Sequence, residues 1–286
     1  MLWMNLAKFF YRGNMKAQKI LFINSEMTPF VAESADAAFG LDLPQQIQEC
    51  GHEIRIFTPK WGMINERRNQ LHEVIRLSGM NIIVDETDRP LIIKVASVAS
   101  ARVQVYFIDN DDYFSRRLMA RDDAGVEYDD NGERAIFFAR GVLETVKKLR
   151  WVPDVIHCHG WMPAFAPLYI KKAYMDEPSF ANVKVVYSVS SPSLATKFDK
   201  HTLDCVNFKG TSGKDYADIA TDDFSHVELM KMAAKYSDGI ILDDKQVDPS
   251  IVGYAKSLNI PVLDFQGEDF KDAYSEFYDQ IMGGEN

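Results

Sequence analysis

Short apolar runs that leave no face for water limit this chain more than any other feature. Lys19-Ile20-Leu21-Phe22-Ile23-Asn24-Ser25 is the first, and Asp154–Cys158, Val183–Val189, Gly239–Leu242 and Ile260–Leu263 repeat the pattern. Each is too short for a helix and too uniformly apolar for a strand with one wet face. Such runs suit strands of a parallel sheet covered on both sides. Helical patterns fall between them. Phe39, Leu43 and Ile47 recur at a four-residue spacing within about 36–49, where Pro44 marks a kink or a first turn. Gly51-His52 ends that segment, and Glu53–Thr58 reads as the next strand. Strand, helix, strand with short joints is the βαβ unit.

From 72 to 109 the helical patterns stop. His72–Leu77, Asn81–Val84, Leu91–Val95 and Val103–Ile108 follow one another through turn residues, predicting an antiparallel β-meander insertion. A long amphipathic helix follows over 131–150, burying Ile136, Phe137, Val142, Leu143, Val146 and Leu149, with Glu144 and Lys148 as an outward i,i+4 pair. Helices are then expected over 163–174, 227–236, 250–258 and 270–282, and a long surface loop over 190–223. No repeat or linker divides the chain. The fold class is therefore α/β, a single Rossmann-like doubly wound, mainly parallel sheet with a β-meander insertion, spanning 15–286. Residues 1–14, ahead of Met15, read as an upstream-start extension loosely attached to the fold.

The formal charge of −10, from 42 acidic against 32 basic residues, disfavours nucleic acid as a partner, and the basic stretches at Glu66–Arg68 and Lys147–Arg150 are short. No apolar run approaches the ~18 residues of a membrane span. The three scattered cysteines, Cys50, Cys158 and Cys205, form no disulfide framework and point to a reducing cytoplasm. Walker, dinucleotide, esterase and Cys-x-x-Cys signatures are absent. Glu127–Gly132 imitates the start of a calcium loop, but Phe138 stands where the bidentate glutamate belongs. Asp109–Asp112 reads as a solvated turn.

His157-Cys158-His159-Gly160-Trp161 lies at the carboxyl end of an expected parallel strand, where open α/β sheets place ligands. The i,i+2 histidines could face one side as a metal pair, although no third ligand is identifiable. Two other roles stay open: buried hydrogen-bonded histidines beside a core tryptophan, or a sugar site with Trp161 stacked on the ligand.

Five segments in register carry a resemblance: Lys19–Phe30, Gly51–Pro59, Val105–Phe114, Asp130–Gly141 and Trp151–Lys171. They resemble the N-terminal half of bacterial glycogen synthases and plant starch synthases, whose phrases run S-E-x-x-P-F, G-H-x-V-x-V-x-x-P, V-Y-F-I-D, D-N-x-x-R-F and P-D-V-V-H-x-H-D-W-H. The resemblance covers 19 to about 243. It implies one half of a GT-B architecture, α-glucan and ADP-glucose as ligands, chain extension through α-1,4 links, and no metal or other cofactor. It also carries roles onto matching positions. His159 and Asp130 take catalytic places, and Glu26, Asn131 and Trp161 take sugar-binding ones.

Departures from the pattern matter as much. Where the family has a K-T-G-G-L donor loop, this chain reads Val31-Ala32-Glu33-Ser34-Ala35-Asp36-Ala37, with no lysine, no glycine pair and two added carboxylates. Those charges oppose a pyrophosphate. Gly160 and Met162 replace the aspartate and last histidine of H-x-H-D-W-H, and Ser190 replaces the histidine of a family T-I-H-N segment. The final strand and helix are expected to close this domain without beginning a second. The sequence thus predicts a transferase domain weak or inactive alone. The alternative is a non-catalytic α-glucan-binding or regulatory subunit whose partner polypeptide supplies the other half.

Overall fold

The computed structural model describes residues 17–283 except 116, 192–193, 221–223 and 268–269. The expected extension over 1–14 lies outside the described residues. The parallel strands are β1 (Lys19–Asn24), β2 (Glu53–Pro59), β6 (Val103–Asp109), β7 (Val155–His159), β8 (Lys184–Val189), β9 (Gly239–Leu242) and β10 (Val262–Leu263). Three more, β3 (His72–Glu73), β4 (Met80–Val84) and β5 (Thr87–Val98), lie between β2 and β6 in the chain. The helices are α1 (Ala35–Glu49), α2 (Asn131–Leu149), α3 (Ala166–Lys171), α4 (His201–Val206), α5 (His226–Lys235), α6 (Pro249–Ser257) and α7 (Lys271–Ile281).

One sheet of ten strands among the described residues runs β10-β9-β8-β7-β1-β2-β6-β5-β3, with β4 hydrogen-bonded to β5. From β1 the chain winds outward through β2 to β6, then returns through α2 to β7 on the other side of β1. Right-handed crossovers place α1 and α2 on opposite faces, so the sheet is doubly wound. The winding reverses between β1 and β7, which pair in parallel from Ile20↔Val155 to Asn24↔His159. A crevice at the carboxyl ends of these two strands is the natural ligand position.

The β insertion is smaller than the sequence suggested. Val103–Asp109 belongs to the main sheet, parallel to β2 and antiparallel to β5, leaving only β3 to β5 as the insertion. A run that is apolar on both faces fits a strand paired on both edges, and local pattern does not reveal the direction of either neighbour. The expected strand 72–77 shortens to His72–Glu73 because the chain turns back, Leu77 donating to the Val74 carbonyl. The loop 190–223 contains α4 and a 3-10 turn at Gly213–Asp215, and only Ala166–Lys171 of 163–174 is α-helical. Glu144 pairs with Lys147 at i,i+3 instead of Lys148, whose ammonium lies near the Leu77 and Ser78 carbonyls. Ile136, Phe137, Val142, Leu143 and Val146 are fully buried as expected.

The docking of α1 on β1 begins with Pro44, which sits inside the helix. Having no N–H, it leaves the Gly40 carbonyl one turn earlier without its helical donor. Asn24, at the end of β1, supplies one: Nδ2 donates to that carbonyl at 2.9 Å. Gly40 also allows the close approach, since a Cβ there would stand 2.3 Å from the Glu26 carbonyl oxygen. Gly253 in α6 is the opposite case, exposed and with open space around it. Gly40→Ala should therefore destabilise the fold by about 2–3 kcal/mol through overpacking. Gly253→Ala should be neutral or stabilising by up to ~1 kcal/mol through helix propensity. Urea-unfolding midpoints of the two variants check the contrast, and equal effects would contradict this packing.

Candidate functional site

Ser25 and Glu26 leave β1 beside His159, Gly160 and Trp161 leaving β7. The two strand ends are laced together. Ser25 N donates to the His159 carbonyl at 3.0 Å, Met162 N donates to Ser25 Oγ at 3.0 Å, and the Trp61 indole donates to the Ser25 carbonyl at 2.8 Å. Gly160 has φ +82°, and a Cβ there would meet Ser25 Oγ at 2.4 Å. Glycine in place of the family's aspartate thus lets the turn close onto β1.

His159 is 3% exposed and its ring lies 4.9 Å from that of Phe39 on α1. Its Nε2 stands 3.0 Å from an Asp243 carboxylate oxygen, an ion-pair distance without an aligned hydrogen bond, and its Nδ1 is buried without a partner. Burial works against the charged imidazole, but Asp243, with Asp36 and Glu26 further away, outweighs it and raises the pKa. The Asp243 carboxyl is itself pushed up by burial. Asp243 follows β9 directly, so it reaches the crevice from another parallel strand's carboxyl end. The sequence reading missed it, although the rule that singled out His159 applies equally to that position.

His157 points to neighbours of its own. Nδ1 is 2.6 Å from the Tyr278 hydroxyl and Nε2 is 2.7 Å from Ser188 Oγ, in a fully buried position. With both nitrogens engaged by hydroxyls, His157 is a hydrogen-bonded core histidine and does not join His159 as a metal pair. Its pKa is driven well down by burial and by the neighbouring His159.

The segment 31–37 is tied to Glu26. Ser34 caps α1 by accepting from Ala37 N at 2.9 Å and gives its hydroxyl proton to Glu26 Oε2 at 2.9 Å. Asp36 occupies the first helical turn. Burial raises the pKa of Glu26; Ser34 and His159 oppose that and Asp36 reinforces it.

Asp130 and Asn131 form a separate group at the start of α2. Asp130 pairs with Arg117. Asn131 is 4% exposed and already committed, donating to the Ala120 carbonyl at 2.9 Å and accepting from Arg134 at 2.7 Å. Arg134 stands at the arginine position of the D-N-x-x-R-F phrase and was passed over by the sequence reading. It is fully buried and donates to the carbonyls of Tyr113, Leu118 and Met119. Trp61, Phe114 and Tyr128 surround its guanidinium at 5.1–5.6 Å. Burial lowers its pKa to about 10, so it stays charged at neutral pH. Trp161 is 5% exposed, its ring centre 6.3 Å from that of Trp61. Trp61 therefore bridges the two groups.

Two open concavities lie at the start of α2. One of about 240 Å³ is lined by residues 126–129 and 194, 196–199 together with Asn131; another of about 350 Å³ is lined by Arg117, Asp122 and residues 126–130. Glu127, also missed by the sequence reading, holds them together. Its carboxylate accepts from the Ala195 and Thr196 amides at 2.8 and 2.9 Å and pairs with Arg121. Burial pushes its pKa up, but these donors win and hold it at about 2. Asp130 and Asn131 thus reach open hollows, whereas Glu26, His159 and Trp161 line neither.

The raised pKa of His159 gives a signed prediction. An imidazole whose folded pKa exceeds the unfolded ~6.5 stabilises fully below ~6.5, and loses that contribution as pH rises through the folded value. The stability difference between the parent chain and His159→Gln should therefore shrink from pH 6 to pH 9 in urea unfolding. A difference that grows over this range would contradict the assignment.

Comparison with known proteins agrees with the architecture. The family model described as "Starch synthase catalytic domain" matches residues 19–251. The chain is 41% identical over 172 residues to the glycogen synthase of Chlorobium luteolum, covering 60% of this chain and 35% of the relative. It is 35% identical over 235 residues to that of Chlorobium phaeobacteroides, covering 80% and 48%. The chain thus spans between about a third and a half of the length of these curated relatives. A solved structure titled as the catalytic domain of starch synthase IV from Arabidopsis thaliana, bound to ADP and acarbose, superposes with a TM-score of 0.70 at 16% identity, covering 87% of this chain and 51% of that one.

Proposed function

Given that the chain belongs to the starch synthase catalytic domain family, we propose that it handles α-glucan in the cytoplasm as a glycogen/starch synthase-type domain with weak or no transfer from ADP-glucose on its own. One observation carries the weak-transfer half: the donor loop has been rebuilt from phosphate-binding to acidic. Ala32 stands in place of a lysine, Glu33 is exposed, and Asp36 and Glu26 converge on the capped start of α1. A diphosphate approaching this helix start meets carboxylates where it needs a cation and open amides. Phe39 adds a second obstacle. It lies against the His159 ring, whose Nε2 already faces Asp243.

A developing charge on a transferred glucosyl group could draw on protonated His159 only after Phe39 gives way. Catalytic placement of His159 and Asp130, and sugar contacts from Glu26, Asn131 and Trp161, are accordingly roles for a rearranged site. Asp130 and Asn131 already border the open hollows, where the Asp130 carboxylate suits sugar hydroxyls and Asn131, its amide engaged by Ala120 and Arg134, shapes the wall. That favours the second reading, a glucan-binding or regulatory subunit acting beside another polypeptide.

The purified chain with ADP-glucose and a glucan primer should release no ADP above a protein-free control. Sustained turnover would reject the weak-transfer reading. Neutralising the loop with Glu33→Gln and Asp36→Asn should tighten ADP-glucose binding about fivefold per charge at low salt, on the basis of ~1 kcal/mol for charges ~4 Å apart in water. Calorimetry measures this directly, and unchanged affinity would show that the donor avoids the loop. Maltooligosaccharide binding should weaken in Asp130→Asn, in His159→Ala or in Trp161→Ala, with near-ultraviolet circular dichroism verifying that each variant is folded. Unchanged binding in all three would reject the crevice and its rim.

A further inference from the structure

A point unused by glycosyl transfer lies where the β4–β5 hairpin meets α4. Asp85 stands at the hairpin turn in the left-handed region, φ +51°. His201 Nε2 is 2.5 Å from Asp85 Oδ1. Cys205 follows His201 by four residues on α4, so the two side chains share one helical face. One ligand atom from each of Asp85, His201 and Cys205 lies within 4.8 Å of the other two. The Asp85 backbone hydrogen-bonds the Cys205 thiol, and the negative charges of Glu133 and Asp204 act on both His201 and Cys205.

We propose that Asp85, His201 and Cys205 form a site for a divalent cation of the zinc type, which fastens the hairpin tip to α4. An imidazole nitrogen, a thiolate and a carboxylate oxygen are the donor set of borderline-soft zinc, with water completing a tetrahedron. Calcium and magnesium call for oxygen donors and have no use for the sulfur. With bonds of ~2.0–2.3 Å, ligand atoms in such a tetrahedron stand roughly 3.3–3.8 Å apart. The close Asp85–His201 contact would open and the sulfur would draw in, both by side-chain rotation. A site with Glu133 and Asp204 nearby gains from a double positive charge, and Cys205, at the edge of the core, places its sulfur within reach of the ion pair. Binding through the thiolate releases the thiol proton, so affinity should rise with pH.

The full chain, stripped with chelator and titrated with zinc, should bind one equivalent with release of about one proton, and its Tm should rise. Cobalt(II) should give a thiolate-to-metal charge-transfer band that is absent in Cys205→Ser. Asp85→Asn and His201→Ala, both at exposed positions, should weaken zinc by about tenfold to a hundredfold while leaving the metal-free Tm little changed. Failure of the intact chain to bind zinc stoichiometrically would overturn the proposal. So would zinc binding unaltered in His201→Ala and Asp85→Asn, or cobalt bound without the thiolate band.

Discussion

One missing amide hydrogen organises the ligand face of this protein. Pro44 cannot donate to Gly40, and the freed carbonyl is taken by Asn24 from the last position of β1. The side-chain amide repairs what proline breaks, at a site where an unpaired buried carbonyl would cost ~1–3 kcal/mol. That bond, with the missing Cβ of Gly40, fixes how closely α1 rides over the end of the central strand. The rest follows from its position: Ser34 meets Glu26, Asp36 enters the first turn, and Phe39 comes down on His159.

A second fixed point is the charge of Arg134. A guanidinium without exposure is stable only where its donors are spent, and three main-chain carbonyls and Asn131 spend them. The aromatic rings around it supply electron-rich faces in place of a bonded carboxylate. Because Trp61 touches both Arg134 and Trp161 and also bonds Ser25, the rim at α2 and the ends of β1 and β7 are packed through one side chain.

The parallel sheet was legible in the sequence because burial on both faces leaves uninterrupted apolar runs, and β1, β7, β8 and β9 lie where those runs lie. Direction was not legible: Val103–Asp109 reads the same whether its neighbour is β2 or β5, and it pairs with both. His159 was found because strand ends are marked positions, and Asp243 could have been found in the same way. Arg134 and Glu127 were hidden for a different reason. Their importance comes from main-chain groups distant in sequence, and a carbonyl or amide carries no residue type. Asp85 and Cys205 are brought together only by the fold, so the linear chain showed Cys205 as one scattered cysteine and gave no sign of their pairing.

The hydroxyl of Tyr278 on His157 has a consequence for the order in which this molecule can assemble. His157 sits on β7 at the centre of the sheet, and its imidazole is completely enclosed. Its partner comes from α7, whose Phe277 and Ile281 also cover Gly239 on β9. Without α7 in place, the His157 Nδ1 in the middle of the sheet would lose its hydroxyl partner and Gly239 its cover. The centre of the sheet is therefore complete only once this helix has docked.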